Sequence, residues 1–159
     1  STIGNMEPDA AVDLLRAMRR LLGKEAMLLI GMDRIKDRDR MVAAYDDAQG
    51  VTAAFNLNLV ERINRELEGD LPIDGFAHRA IWNDEKARIE MHLEAVRPLH
   101  FHVAGESFSM AAGETIHTES SHKYGERDER LLLRAGGWEP VRDWTDADAP
   151  FALVLAKAD

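Results

Sequence analysis

The spacing of apolar residues changes near Phe76, and this change constrains the fold more than any other feature. Before it, apolar residues recur at helical spacing over residues 11–22 and again over residues 51–67. Over residues 76–110 they alternate with polar residues, which is typical of antiparallel strands with one solvated face. The chain therefore combines an α/β part with a β-rich part.

The segments on either side of the β-rich part predict an open α/β sheet. Pro8 and Gly23 are placed as the start and end of a helix. The continuous apolar run MLLIGMD that follows is typical of a buried strand. After the β-rich part, GERDERLLLRAGG predicts a helix, and WEPVRDWTD and FALVLAKA predict two strands. We expect an α/β fold in which a Rossmann-like sheet is interrupted by an inserted antiparallel block.

The helix predicted from Val51 onwards has an apolar stripe at helical spacing, and we expect this stripe to be its buried face. Its members are Val51, Ala54, Phe55, Leu59, Ile63 and Leu67. Asn56 and Asn58 are predicted as surface or capping residues. In the β-rich block, Arg88, Glu90 and His92 share one strand face, which we expect to be exposed.

Composition excludes several classes of function. The net charge is −9, from 29 acidic and 20 basic residues, which argues against a nucleic-acid partner. No apolar run approaches the roughly 20 residues that span a bilayer, so we expect no membrane segment. The chain has no cysteine, which fits a cytoplasmic location.

The stretch ETIHTESSHKY raises the question of a metal site. In a strand, His117, Glu119, Ser121 and Lys123 point to one face, whereas His122 points to the other. Only His117 and Glu119 then remain as neighbouring ligands, and a zinc site needs three or four. We therefore expect no metal. No G-x-S-x-G motif marks a nucleophilic serine either.

Other polar residues are candidates for ligand binding. Glu119 and Ser121 offer a charged acceptor and a hydroxyl on one face, which suits a ligand with N–H donors; a solvated strand face is the alternative. Tyr45 can bind a carboxylate through its phenol or simply pack. Asn5, in the turn STIGN, can orient a ligand or cap the helix that follows.

Five ordered stretches together resemble one enzyme family: STIGN, YDDAQGVTAAFNLN, INREL, ARIEMHL and GETIHTESSHKY. They are similar to the C-terminal half of the histidine-specific Nα-methyltransferases of ergothioneine biosynthesis. The resemblance implies a class I methyltransferase core with an inserted substrate-binding domain. It implies core segments at residues 1–50 and 125–159, with the inserted domain at residues 51–124. The implied reaction uses S-adenosylmethionine (SAM) to methylate L-histidine three times, giving hercynine.

The resemblance also implies roles at the amino-acid end of the substrate. Thr2 and Asn5 match the loop that holds the α-amino group, and Tyr45 matches a tyrosine that binds the α-carboxylate. Asn5 and Tyr45 are thereby the candidate catalytic residues. An amide beside the amine orients its lone pair without favouring the ammonium form, as a carboxylate would.

At the other end of the substrate, the resemblance implies an imidazole site. Glu119 and Ser121 match the pair that binds the imidazole ring, and Met91 matches an apolar residue that lines its pocket. Buried polar groups that only an imidazole satisfies would then select histidine.

The resemblance leaves the SAM site outside this chain. The family's glycine-rich loop and ribose-binding acidic residue belong to its N-terminal half, and neither occurs in this sequence. We therefore expect a piece of a longer protein, inactive alone and able to dimerise through an open sheet edge. Two alternatives stay open: a non-catalytic amino-acid-binding module, and a methyltransferase for another amino acid or amine.

Overall fold

A computed structural model describes residues 2–147 and 150–159 of the chain. Its helices are α1 (Pro8–Leu22), α2 (Arg38–Ala43), α3 (Val51–Glu66) and α4 (Glu126–Ala135). Its strands are β1 (Met27–Asp33), β2 (Phe76–Asn83), β3 (Arg88–Ala95), β4 (Leu99–Val103), β5 (Glu106–Met110), β6 (Thr115–His122), β7 (Trp138–Thr145) and β8 (Phe151–Ala158). Short 3-10 turns occupy Thr2–Asn5 and Ile73–Gly75. The expected α/β class is confirmed. The loop predicted between β7 and β8 lies partly outside the described residues.

The chain divides into two compact units. The first unit comprises Ser1–Asp37, Asn83–Arg88 and Ser120–Asp159, and the second comprises Arg38–Trp82 and Ile89–Glu119. The domain boundaries expected at residues 50 and 124 stay a prediction. In the described ranges, no helix combines the length and the apolar character needed to cross a membrane.

The first unit is built on a three-stranded antiparallel sheet of order β1-β8-β7. Alternate residues of β1 and β8 are buried, as a strand with one covered face requires. These side chains pack with α1 and α4 into one core, whose largest member, Trp138, is fully buried. Its indole N–H donates to the Leu15 carbonyl at 2.9 Å, which satisfies the buried donor. Gly136 lets the end of α4 approach α1, because a Cβ there would lie 2.4 Å from the Leu15 Cβ.

The second unit packs α3 with strands of two small sheets. It holds most of the sheet of order β2-β3-β6 and all of the antiparallel hairpin β4-β5. Its core gathers apolar residues from these elements: Val60, Leu71, Phe76, Leu93, Ala95, Leu99, Phe101 and Met110. The strands expected from alternating polarity are therefore confirmed.

The predicted buried face of α3 is right only in part. Leu59 and Ile63 pack against the core, but Val51 and Phe55 are 64% and 65% exposed, whereas Asn56 and Val60 are fully buried. The expectation that Asn56 lies at the surface is wrong. Its amide is fully hydrogen-bonded inside the unit, so a polar residue occupies a position that apolar spacing would not select.

Candidate functional site

Strands β3 and β6 share a polar face in the second unit. The Ala95 N–H donates to the Glu114 carbonyl at 2.9 Å, and the rings of His92 and His117 stack with centroids 4.8 Å apart. Along these pairs the residue number rises on one strand as it falls on the other, so the strands are antiparallel. His92 therefore lies opposite His117, and two residues further along each strand Glu90 lies opposite Glu119.

The polar face shared by β3 and β6 thus carries two histidines and two glutamates. Glu90 is 7% exposed, and His92 is half-buried. The expectation that β3 has an exposed polar face is therefore wrong. Arg88, on the same strand but in the first unit, is also buried, with its guanidinium paired to Glu7.

Glu90 and His92 form a hydrogen-bonded pair. His92 Nε2 and Glu90 Oε2 lie 3.2 Å apart. Burial lowers the pKa of His92, and the bond to Glu90 offsets this only in part, so the imidazole is neutral and donates from Nε2. Its other nitrogen, Nδ1, is buried without a hydrogen-bond partner within the described ranges.

Glu90, His92 and His117 are also residues of metal-ligand type. One ligand atom from each lies within 4.8 Å of the others. The Glu90–His92 spacing approximates the ~3.3 Å between two ligands of a tetrahedral zinc ion with bonds of ~2.0 Å. The third ligand is poorly placed, because the two rings are stacked at an interplanar angle of 19°, so their in-plane lone pairs lie in nearly parallel, separate planes. The expectation that no metal binds stays a prediction.

This cluster was not predicted from the sequence. Within its own strand, His117 has only Glu119 and His122 as neighbouring ligand types, and the sequence does not show which strand lies beside β6. Alternation along β3 does place Glu90 and His92 on one face, and this was the signal available.

The opposite face of the same sheet carries a second polar network. Thr118 Oγ lies 2.8 Å from Asn56 Oδ1 and 2.9 Å from the Met91 carbonyl oxygen. Asn56 Nδ2 donates to the His92 carbonyl at 3.0 Å and lies 3.0 Å from His78 Nδ1. These contacts join helix α3 to three strands.

Three of the predicted substrate residues belong to the second unit. Tyr45 is half-buried in the turn after α2, Met91 is 3% exposed on β3, and Glu119 is half-buried on β6. The backbone oxygen of Glu119 is 3.0 Å from His117 Nε2, which donates to it. Strand alternation puts Met91 and Glu119 on opposite faces of their sheet, so these two side chains are not brought together on one face.

A cavity of about 520 Å³ lies in the second unit between α2 and β2. Its polar lining comes from Arg38, Asp39 and Asp46, and Trp82 forms part of its wall. The cavity is large enough for an amino acid. The three predicted residues of this unit do not line it, although Tyr45 directly precedes Asp46 in the chain.

The other three predicted residues belong to the first unit. Thr2 and Asn5 are exposed in the 3-10 turn, and Thr2 lines a mostly apolar cavity of about 450 Å³ beside α1 and β1. Gly4, between them, is buried against the end of β6, where His122 Nδ1 lies 3.0 Å from the Gly4 carbonyl oxygen. His122 therefore holds the turn in place.

Ser121 is buried beside a charged network in the first unit. Its hydroxyl oxygen accepts from Lys123 Nζ at 2.9 Å, and the same ammonium contacts Asp33 Oδ2 at 2.8 Å. Burial alone would raise the pKa of Asp33, but hydrogen bonds from Lys123 and Lys36 outweigh it and lower that pKa. Lys123 is thus a buried cation with a carboxylate partner, a feature that its exposed-looking sequence context did not indicate.

Known proteins match the chain along nearly its whole length. The family described as "Histidine-specific methyltransferase, SAM-dependent" matches residues 1–158. Histidine N-alpha-methyltransferase of Mycolicibacterium smegmatis is 42% identical over 158 residues, covering 98% of this chain and 49% of that protein. The enzyme of the same name from Mycobacterium tuberculosis is 41% identical, with coverages of 98% and 49%.

A more distant relative is Ergothioneine biosynthesis protein 1 of Neurospora crassa, 29% identical over 164 residues. That match covers 99% of this chain and 18% of the fungal protein. The chain spans about half the length of the two mycobacterial relatives.

Proposed function

Because the chain belongs to the histidine-specific, SAM-dependent methyltransferase family, we propose that it is part of an enzyme that methylates the α-amino group of L-histidine. The single observation that carries the proposal is the family match over residues 1–158, supported by 42% identity to a histidine N-alpha-methyltransferase. A place in ergothioneine biosynthesis is part of the proposal, and the name of the more distant Neurospora crassa relative supports it. The proposed setting is cytoplasmic, as composition led us to expect.

The main task of the protein in this reaction is to align the substrate amine with the methyl group of SAM. SAM, when bound, supplies an activated methyl group on a positively charged sulfur. Its methyl carbon would pass from that sulfur to the neutral substrate nitrogen, which would take up the positive charge as the sulfur–carbon bond breaks. The amine must enter as its neutral form and lose a proton before the second and third transfers. The protein therefore has to orient a lone pair without stabilising the ammonium.

Asn5 suits that requirement, since an amide oxygen accepts a hydrogen bond from a neutral amine and carries no charge. Thr2 would contact the same group. We assign Tyr45 to the α-carboxylate, because a phenol donates a hydrogen bond to it without adding a cation.

Glu119 is assigned to the imidazole ring. Its carboxylate can accept an imidazole N–H, and its position on a strand two residues from His117 supports a polar binding surface there. Ser121 is assigned to the same ring. Met91 is not assigned to it, because Met91 and Glu119 lie on opposite faces of their sheet. The ammonium of Lys123 donates to the Ser121 hydroxyl oxygen and so orients it.

The SAM-binding residues are proposed to lie mainly outside this chain. The sequence contains no glycine-rich turn of the kind that receives a nucleotide cofactor at the end of a strand. A homodimer through an edge of the β1-β8-β7 sheet is also proposed, and a sizing column tests it.

Glu119→Ala in the native protein tests the proposal. Loss of a buried hydrogen bond to a charged group costs about 1.5–3 kcal/mol, so the KM for histidine should rise roughly tenfold to hundredfold. Glu106→Ala, an exposed acid on β5, is the matched control and should leave the KM unchanged. Equal histidine kinetics in both variants would refute the role of Glu119.

A panel of amines separates this function from its alternatives. The native protein should methylate histidine in preference to tryptophan and simple amines. A preference for another amine would identify a different methyltransferase. Binding of histidine with no methyl transfer would identify a non-catalytic module.

A further inference from the structure

We propose that Asn56 and His78 are positioning residues for the substrate, a role that rests on the proposed histidine methylation. Neither residue is hydrogen-bonded to the Tyr45 phenol or the Glu119 carboxylate, the groups that are proposed to bind the substrate. Instead, they form a buried hydrogen-bonded chain that holds the backbone of Tyr45 at one end and the side chain of Thr118 at the other. Tyr45 is the proposed carboxylate ligand, and Thr118 directly precedes Glu119, the proposed imidazole ligand.

His78 is fixed in one tautomer by its two neighbours. Its Nε2 lies 2.8 Å from the Tyr45 carbonyl oxygen, which can only accept, so Nε2 carries the proton. Its Nδ1 lies 3.0 Å from Asn56 Nδ2, which can only donate, so Nδ1 is the unprotonated acceptor. The imidazole is therefore neutral and is used as one donor and one acceptor.

Asn56 uses its whole amide group in the same way. Both Nδ2 protons are committed, one to His78 Nδ1 and one to the His92 carbonyl oxygen, each at 3.0 Å. Its Oδ1 accepts from the Thr118 hydroxyl at 2.8 Å. Because Asn56 is fully buried, an apolar replacement would leave these partners unsatisfied in a region that water does not reach.

The network explains why a polar residue occupies the buried face of α3. Tyr45 lies in the turn after the six-residue helix α2, where its own N–H donates to the Val42 carbonyl at 2.9 Å. The bond from His78 to its carbonyl fixes this turn against β2. The hydroxyl of Thr118 fixes the middle of β6 against α3. The Asn56 amide thereby helps to fix both segments of the second unit that carry proposed substrate contacts, the turn with Tyr45 and the strand with Glu119.

The test replaces His78 in two ways in the native protein. His78→Phe keeps the ring but removes both nitrogens, so the turn that carries Tyr45 is released. Since carboxylate binding is the same in the ground and transition states, the KM for histidine should rise about tenfold with kcat nearly unchanged. A loss of folded protein alone would lower the apparent kcat and leave the KM as it is.

His78→Gln is the rescue variant. A glutamine amide offers one donor and one acceptor and can restore both bonds, so its KM should lie within about twofold of the native value. Asn56→Leu should raise the KM like His78→Phe. The control is Asn58→Leu on the exposed side of α3, which should change neither constant.

A spectroscopic measurement reports the network without activity. Long-range proton–nitrogen NMR correlations of the native protein should show His78 as the neutral tautomer protonated at Nε2. The Nδ1-protonated tautomer, or a mixture of the two, would overturn the proposal. So would a KM in His78→Phe equal to the native value.

Tyr45→Phe separates two claims: that Tyr45 binds the substrate carboxylate, and that His78 positions Tyr45. If Tyr45→Phe raises the KM and His78→Phe does not, the positioning role is wrong and the function stands. If Tyr45→Phe leaves the KM unchanged, the role of Tyr45 is wrong, and positioning through it falls as well. Absence of any histidine methylation refutes the function itself.

Discussion

Gly4 should not tolerate a side chain, and the reason lies in backbone rather than in flexible atoms. A Cβ at Gly4 would lie 2.9 Å from the His122 carbonyl oxygen, closer than real Cβ atoms approach. That oxygen belongs to the last residue of β6 and cannot rotate away. The 3-10 turn that carries Thr2 and Asn5 must therefore move outward in Gly4→Ala.

The cost of Gly4→Ala has two parts. Overpacking against backbone costs about 1–3 kcal/mol. Moving the turn also stretches the 3.0 Å contact between His122 Nδ1 and the Gly4 carbonyl oxygen, a bond worth about 1 kcal/mol. The sum of about 2–4 kcal/mol corresponds to a fall in Tm of roughly 5–15 °C for a protein of this size or somewhat larger.

Thermal unfolding followed by circular dichroism measures the effect. Gly125→Ala is the matched control, because the nearest atom to its added Cβ is a side-chain oxygen of Asp128 at 3.1 Å rather than backbone. Gly125 is the N-cap of α4, where alanine is less favoured, so the control should lower Tm by a few degrees at most. The packing argument fails if Gly4→Ala melts at the native temperature, or if both variants lose the same stability.

Two further predictions concern buried charges of the first unit. The lowered pKa of Asp33 means that its ionised form stabilises the fold above its usual pKa of 3.8 and that this stability is lost as pH falls below that value. Lys123→Met should therefore flatten the acid side of a stability–pH curve measured by urea unfolding, and an unchanged acid limb would contradict it. Arg34 donates to both carboxylate oxygens of Glu129 at 2.8 and 2.9 Å, so Glu129→Gln should cost about 1.5–3 kcal/mol in the free energy of unfolding. The guanidinium keeps two carboxylates, Glu126 and Asp143, at 3.9 Å, so its charge is not left unpaired. The double variant Arg34→Met with Glu129→Leu should recover much of this loss, and equal stability of single and double variants would count against the ion pair.

The helices and strands could be predicted from the sequence because their apolar spacing is strong. Proline and glycine at the ends of α1 mark a helix whose local preference and burial agree. The continuous apolar run of β1 predicts the strand but not its burial on both faces, because Met27 and Leu29 are 52% and 57% exposed. Much of the β-rich block was predictable for the same reason, since apolar and polar residues alternate along β3 and β4.

The buried face of α3 could be predicted only in part. Apolar spacing selects Phe55, yet the helix buries Asn56, because the hydrogen bonds of its amide compensate for lost hydration. The hydrogen-bond partners of the Asn56 amide lie more than 20 residues away in the chain. The sequence does not show that these partners come together in the fold.

The candidate site shows the same limit. Alternation in β6 correctly separates His117 from His122 but cannot reveal that β3 lies alongside. The pairing of Glu90 and His92 with His117 depends on strand order and register, which arise from the whole fold. The roles of Thr2, Asn5, Tyr45, Met91, Glu119 and Ser121 came from resemblance and stay predictions.

Methyl transfer to free histidine tests the central claim most directly. The native protein is incubated with L-histidine and SAM labelled with deuterium in its methyl group, and the products are analysed by tandem mass spectrometry. The account predicts a histidine that carries three labelled methyl groups, all on the α-nitrogen, with mono- and dimethylated forms at early times. Label on a ring nitrogen, or no labelled histidine with folded and SAM-saturated protein, would contradict it.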